Sequence, residues 1–523
     1  MTTRYLLFLF FVLIAVIGCR KSKTSWDSDW VVPVFNDTLS ISQLVNDSTL
    51  VINGDNSLQL VLDRTIASID IFELIQVPDT TIVQSFVISI NAIPVGPGVT
   101  YINEVEEHEF DLGDVVLKRA RLKSGTAVIT IENPIETIAI FTVELPGVTK
   151  NGVTFKQTER VPPKVNGVPG QKTFELDLAG YHLNLRGESG SDFNILQSKM
   201  VVVADPEGES VTLTKEDVVN FKVNLKNLSF DYAKGYFGSL TYSDTTLLNV
   251  EELRSVVSGK LNMEEVKLQL ILENGIKAMA QGTFSHVTSK NNQGDYVALT
   301  HPEFNSAFNI NPAQGTYDNL QISKKMFTFD NDNSTIQSFV EHLGSQYEIG
   351  YEVVLNPWGN TSGGNDELFP QSKLALRLLT DFPLTISTEN LLLRDTFDVD
   401  FSSNQKIVNV ASGVFVLEVE NGFPFGSLFS LDLLDEAGQS VGIVNASDLV
   451  SPSTEVTQDN KHIATKEEIR FVVNEQLASE LGNITQIVIQ AALSSATASQ
   501  NVIYSNAFIK TKLRGEFKLK TSL

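Results

Sequence analysis

Through most of the chain, apolar and polar residues alternate, and Asn, Asp, Gly and Pro break the alternation at short intervals. A period of two belongs to a half-buried strand, because successive side chains point to opposite faces of a sheet. Stretches with helical spacing are few and short. Asn249 to Val257 is one, Ser334 to Leu343 before Gly344 is a second, and Asn474 to Leu481 before Gly482 is a third. Each opens on a residue suited to capping a helix, and the last two close on Gly.

One alternating strand occurs three times. It reads Thr126 to Ile135, Lys267 to Ile276 and Val414 to Phe423, and the copies align on Asn133, Asn274 and Asn421. Two, four and six residues before that Asn, the position is apolar in every copy: Ile131, Ile129, Ala127; Leu272, Leu270, Leu268; Val419, Leu417, Phe415. A Glu precedes each Asn and faces the other way. The Asn closes the strand, since its side chain can bond the following backbone, and Pro or Gly comes next. Copies one and three also share Ser-Gly upstream (Ser124-Gly125, Ser412-Gly413) and a Phe downstream (Phe141, Phe429). The Asn positions differ by 274 − 133 = 141 and 421 − 274 = 147 residues, a spacing suited to tandem domains of one type.

Long alternating strands with short turns need a second layer over their apolar face. The pattern therefore predicts an all-β protein of tandem immunoglobulin-like β-sandwich domains with a few short helices. The expected divisions are a leader over 1–18, a tether and first strand over 19–45, an N-terminal β region over 46–115, and sandwiches over 116–260, 261–400 and 401–523. The strand-Glu-Asn-Pro signature resembles the immunoglobulin-like sandwich of the late-embryogenesis-abundant, water-stress type. The segment Ser25-Trp26-Asp27-Ser28-Asp29-Trp30 is similar to the mature start of large β-rich bacterial envelope lipoproteins that open with Trp-Asp-x-Asp. That resemblance implies architecture and location but no chemistry.

The leader itself is explicit. Arg4 is followed by an apolar run from Tyr5 to Ile17, then Gly18 and Cys19. The run is shorter than the roughly 20 residues of a membrane-spanning helix and fits an export signal. Val16-Ile17-Gly18-Cys19 resembles a lipobox, which implies cleavage before Cys19 and lipid attachment to its thiol. Cys19 is the only cysteine, so an exported chain gains no disulfide from it. Position 20 is Arg, not the Asp that would hold a lipoprotein at the inner membrane. Arg20-Lys21-Ser22-Lys23 is basic where a surface-export signal would be acidic. The expected location is the outer membrane, periplasmic face before cell surface.

Composition narrows the chemistry. The net charge is −24, and loss of Arg4 with the leader takes it to −25, which argues against a nucleic-acid partner. The six histidines are too scattered for a local metal pair, and no nucleophile elbow, phosphate loop or dinucleotide fingerprint is present. Asp330, Asp332, Ser334 and Glu341 fall at positions one, three, five and twelve of a calcium loop, but Thr335 stands where the sixth position needs Gly. The competing reading makes Ser334 a helix cap, Gln337 its capping-box partner and Glu341 a residue inside the helix. Trp358, in a loop rich in Gly and Asn, is the best candidate for ligand contact, or else covers a sandwich end. Together these features predict a lipid-anchored, non-enzymatic scaffold without cofactor. Its partners are the membrane and an envelope protein or glycan, and the alternative is a surface glycan-binding or adhesive lipoprotein.

Overall fold

The computed structural model describes residues 25–40, 50–74, 78–87, 92–250, 256–401, 410–497 and 500–522. Cys19 lies outside them. The described chain is all-β, built as three sandwiches; in the first, His182–Asn184 pairs with both Val116–Asn133 and Ala139–Lys150, so its two layers continue as one ten-stranded sheet. Alternation in sequence becomes alternation in burial. Along Ile195–Ala204, Leu196, Ser198, Met200, Val202 and Ala204 face the interior and their neighbours face outward.

The three repeat strands, Val116–Asn133, Leu268–Asn274 and Val410–Asn421, occupy the same place in three sheets of one topology. In the first sandwich the strand lies between Gly170–Asp177 and Val218–Tyr236. In the second it lies between Ser323–Phe329 and Lys373–Pro383. In the third it lies between Thr465–Val473 and Phe508–Ser522. The facing layers are equivalent too. Each centres on the pair of strands that follow the repeat in the same order: Ala139–Lys150 with Ile195–Ala204, Ala280–Lys290 with Gln346–Leu355, and Gly426–Asp435 with Ile484–Ser494.

The recurrent Asn explains why the three strands end alike. All three side chains are fully buried. Each accepts the backbone N–H two residues on: Ile135 for Asn133 at 3.2 Å, Ile276 for Asn274 at 2.8 Å, Phe423 for Asn421 at 3.0 Å. Each amide also donates to backbone carbonyls of the chain crossing to the facing layer, of the chain returning from it, or of both. Asn133 reaches Thr137 and Pro162 (2.8 and 2.9 Å), Asn274 reaches Asn311 (2.8 Å), and Asn421 reaches Phe425 and Ser451 (2.8 and 3.0 Å).

The expected division by sequence is corrected at its edges. Residues 46–115 form no unit of their own, because their strands join the second and first sandwiches, and together with the strand before them they complete the three in reverse order. Ser25–Ser40 pairs with Phe508–Ser522 in the third sandwich, Leu58–Asp70 with Lys373–Pro383 in the second, and Thr80–Val87 with Val218–Tyr236 in the first. Likewise Leu240–Asn249 belongs to the second sandwich, while Val256–Met263 and Thr385–Asp398 belong to the third. The physical reason is that each sandwich needs an outer strand on each sheet, and local sequence cannot say which sheet supplies the vacant edge. Pro33 is tolerated because its strand is an edge; the register slips between Pro33 and Phe35. Of the helical spacing expected from Asn249 to Val257, residues 251–255 lie outside the described residues; Asn249 ends one strand and Val256 begins another. The third candidate holds: Glu475–Glu480 is a helix, and Asn474 caps it by accepting Leu477 N–H at 2.8 Å.

Neighbouring sandwiches are joined by hydrogen bonds as well as by covalent linkers. Leu58, Ile503 and Leu384 donate in a closed ring of three backbone bonds, each 2.9 Å, between the second and third units. Between the first and second, the short strand Asp366–Leu368 adds to the edge of Val218–Tyr236. There the Glu367 carboxylate takes Lys277, Lys234 (3.3 Å) and the Tyr232 hydroxyl (3.1 Å). Burial works against ionisation of Glu367, but the Lys277 hydrogen bond and the two ammonium charges outweigh it and hold the carboxyl below its usual range. Arg121 of the first sandwich forks onto Asp231 through two 2.6 Å bonds and covers the ring of Tyr317 in the second at 4.7 Å.

Two outcomes follow. Asn421→Ala leaves the Phe423 N–H and the Phe425 carbonyl unpaired in the core, while Ser451 O keeps the Thr465 hydroxyl, and costs roughly 3 kcal/mol. Asn421→Asp, nearly the same in shape, costs at least as much because its oxygens face carbonyls; urea unfolding measures both, and a change below ~1 kcal/mol for either contradicts the role given to Asn421. Glu367→Ala strands two half-buried lysines and costs roughly 1–3 kcal/mol. Faster hydrogen exchange in Val218–Tyr236 and Lys373–Pro383, with the third sandwich unchanged, is the expected signature.

Candidate functional site

The loop that carries Trp358 leaves the strand Gln346–Leu355 and returns through Asp366–Leu368, at the seam of the first two sandwiches. Its feet are fixed from inside. Asn356 is buried in a left-handed conformation (φ 50°) and donates to Gly238 O at 3.3 Å and to the carboxylate of Asp366 at 3.0 Å. Burial pushes the Asp366 carboxyl up, and the bonds from Ser362 and Asn356 only partly offset it.

The crown of the loop is tied from the side. Lys118, on the first repeat strand, donates to Gly363 O at 2.8 Å and to Asn365 Oδ1 at 3.1 Å, and lies over the ring of Phe193. Gly364 is required on two counts: its φ is +71°, and a Cβ there would sit 3.0 Å from the Phe193 ring. Between these ties Trp358 is 49 % exposed. An indole held outward on a loop braced by both sandwiches is a preorganised apolar platform with one N–H donor.

The calcium-loop residues are not brought together. The Asp330 carboxylate accepts Asp332 N–H and Asn333 N–H, both at 3.1 Å, closing a local turn. The chain is helical over Ile336–Glu341, and Glu341 points away to accept Met263 N–H at 2.7 Å. Among the described residues no three His, Cys, Asp or Glu side chains cluster as metal ligands. The capping box is corrected as well. Thr335 is the cap position and Ser334 only accepts Ile336 N–H at 3.3 Å. Gln337 turns to Met263 O at 2.9 Å and to Glu341, so the helix clamps the third sandwich's strand Val256–Met263 onto the second.

Sequence reasoning passed over the interior of the first sandwich. There a cavity of about 100 Å³ lies between the layers, walled by leucines, phenylalanines and valines of both sheets, with His108 and Ser198 at one side. The His108 ring nitrogen and the Ser198 hydroxyl are 2.9 Å apart. Burial lowers the pKa of His108, with Glu106 opposing, so the ring is neutral at pH 7. The pair faces hydrocarbon rather than a polar cleft, and we assign it no catalytic role. A void of this size costs on the order of 2 kcal/mol in lost packing. Its signal was present in the aligned repeat: six residues before the Asn stand Ala127, Leu268 and Phe415. In the third sandwich Phe415 is fully buried against Phe517 (5.5 Å between ring centres) and Phe401 (6.2 Å). In the first, Ala127 leaves that space open.

No protein-family model and no curated protein matches the chain. Among solved structures, a protein from Parabacteroides distasonis described as secreted is 10% identical, covering 54% of this chain and 89% of its own, with a TM-score of 0.27. The N-terminal tandem CBM22 domain from Paenibacillus barcinonensis is 11% identical, covering 55% and 95%, with a TM-score of 0.15. Likenesses this low carry no argument about function.

Proposed function

We propose that this chain is a lipid-anchored, non-enzymatic protein of the bacterial envelope that holds a partner on a braced stack of sandwiches. The observation that carries the reading is where the strand after Cys19 goes. Ser25 is six residues beyond Cys19, a reach of at most about 20 Å. Ser25–Ser40 is hydrogen-bonded along its length to Phe508–Ser522, so a lipid on Cys19 would hold the third sandwich against the bilayer. The first two sandwiches then follow in order away from the anchor, joined by the backbone ring at Leu58 and the hub at Glu367. No helix among the described residues is long and apolar enough to cross a membrane.

The end of the third sandwich near that strand suits the position. Val31 and Val472 are exposed there beside Val414, with Arg470 and Lys518 close by. Glu516 lines the same patch and pairs with Arg470 at 2.7 Å, so the exposed valines there have charges of both signs beside them. The basic run Arg20 to Lys23 favours the outer membrane's periplasmic face over the cell surface. A second reading, glycan capture at the cell surface, is favoured by one feature, the exposed and braced indole of Trp358.

Cys19→Ser is expected to abolish incorporation of labelled palmitate and to leave an uncleaved precursor. Full labelling of the variant contradicts the anchor. Protease added to intact cells separates the two readings: protection until lysis supports the periplasmic scaffold. Digestion on intact cells, with glycan binding lost in Trp358→Ala, replaces it with the surface reading.

A further inference from the structure

We propose that the first sandwich contains a binding cavity for a small uncharged apolar molecule, an aromatic ring or a short alkyl segment, created by Ala127 at a position its sister sandwiches fill. The inference rests on the cavity alone and not on the lipid anchor.

Three observations carry it. First, the space lies where the sister sandwiches carry larger side chains. Ala127 faces inward on the central strand Val116–Asn133 at the place of Leu268 and Phe415, and Leu225 stands beside it in register. Second, the size and lining fit hydrocarbon. The cavity is about 100 Å³ and its walls are apolar save for His108 and Ser198, which are bonded to each other. Water gains little there, because a site needs two to four polar partners to hold one. Cavities lined by Leu, Ile and Phe at a comparable volume stay dry and take up benzene or xenon. Third, there is a way in. Ile82, Leu145, Leu176, Leu225 and Leu228 line the cavity yet are only half-buried. They lie between two layers whose outermost strands on one side, Thr80–Val87 and Thr100–Glu109, are linked across the gap by a Gln84–Glu106 hydrogen bond.

The polar groups also set a selection. Glu106 sits on the same strand face as His108, and the buried imidazole is neutral, so no cation is present to receive a carboxylate. An anionic amphiphile meets repulsion at this edge; an uncharged ring or alkyl segment does not.

Fluorine NMR of fluorobenzene with the full chain in lipid vesicles, against vesicles alone, tests this directly. Saturable binding to the wild type is expected. Ala127→Leu fills the space and should weaken binding at least tenfold without lowering the thermal midpoint. Leu225→Phe, which fills it from the neighbouring strand, should do the same and covers the case in which Ala127→Leu fails to fold. Absence of saturable binding to the wild type overturns the proposal, as does unchanged binding in a folded variant of either kind. Hexanoate binding as tightly as fluorobenzene overturns the selection for uncharged molecules.

Discussion

A strand that ends inside a protein leaves backbone donors and acceptors with no partner in the ladder, and the rest of this structure depends on how that is met. Asn133, Asn274 and Asn421 each supply one acceptor and one amide at the point where the chain leaves its sheet for the facing layer. Asp could accept there but not donate, and Gln would place the same groups one methylene too far out. In all three sandwiches the amide also binds the chain approaching the partner strand: Pro162 lies ahead of Gly170–Asp177, Asn311 ahead of Ser323–Phe329, and Ser451 ahead of Thr465–Val473. One side chain thus fixes the end of a central strand, the first turn after it and the entry to a neighbour.

Electrostatics does a different job on the outside. The exposed face of the third sandwich carries Arg514 among Glu418, Glu468 and Glu516, with Arg470 bonded to Glu516 at 2.7 Å. Pairs this exposed contribute little stability singly. Their placement on alternate residues nevertheless keeps the outer face charged and the inner face aliphatic, which fixes register: a slip of one residue would bury the whole row. At the seams the pairs are more enclosed, and Glu367 and Arg121 tie one sandwich to the next.

Much of this was legible. The alternation gave the fold class, the Asn-centred repeat marked the central strand of each sandwich, and Asn474 marked a helix start because its cap is a local interaction. What was not legible depended on distant residues. Nothing near Leu58 or Thr80 says that one pairs with a strand beyond residue 370 and the other with a strand near 220. The Asp330 segment matched two local templates at once, and contacts with Met263 on another sandwich decided between them and a third outcome. Trp358 was singled out correctly as a loop residue, but its exposure follows from Lys118 and Asp366 bracing the loop. The cavity stood in the alignment as Ala127 opposite Phe415. It went unnoticed because a small residue on an apolar face satisfies the same pattern as a large one.

The reversed order of the N-terminal strands has a consequence for folding. Ser25–Ser40 is synthesised first, yet its partner is Phe508–Ser522; paired residues are 468 to 497 positions apart (508 − 40, 522 − 25). Pairings so distant close late, because the entropy of the loop must be met before the contacts form. The first sandwich can assemble from residues 80–236, the second awaits residue 383, and the third awaits the last strand. Until then Leu58–Asp70 and Ser25–Ser40 have no partner and stay open to other strands, the usual route to misassembly. Pro33 and the register slip beside it blunt the outermost edge once it has docked. The order also means that the sandwich nearest Cys19 is the last to be completed. A lipid on Cys19, as proposed above, would bring membrane attachment and closure of the fold to the same sheet.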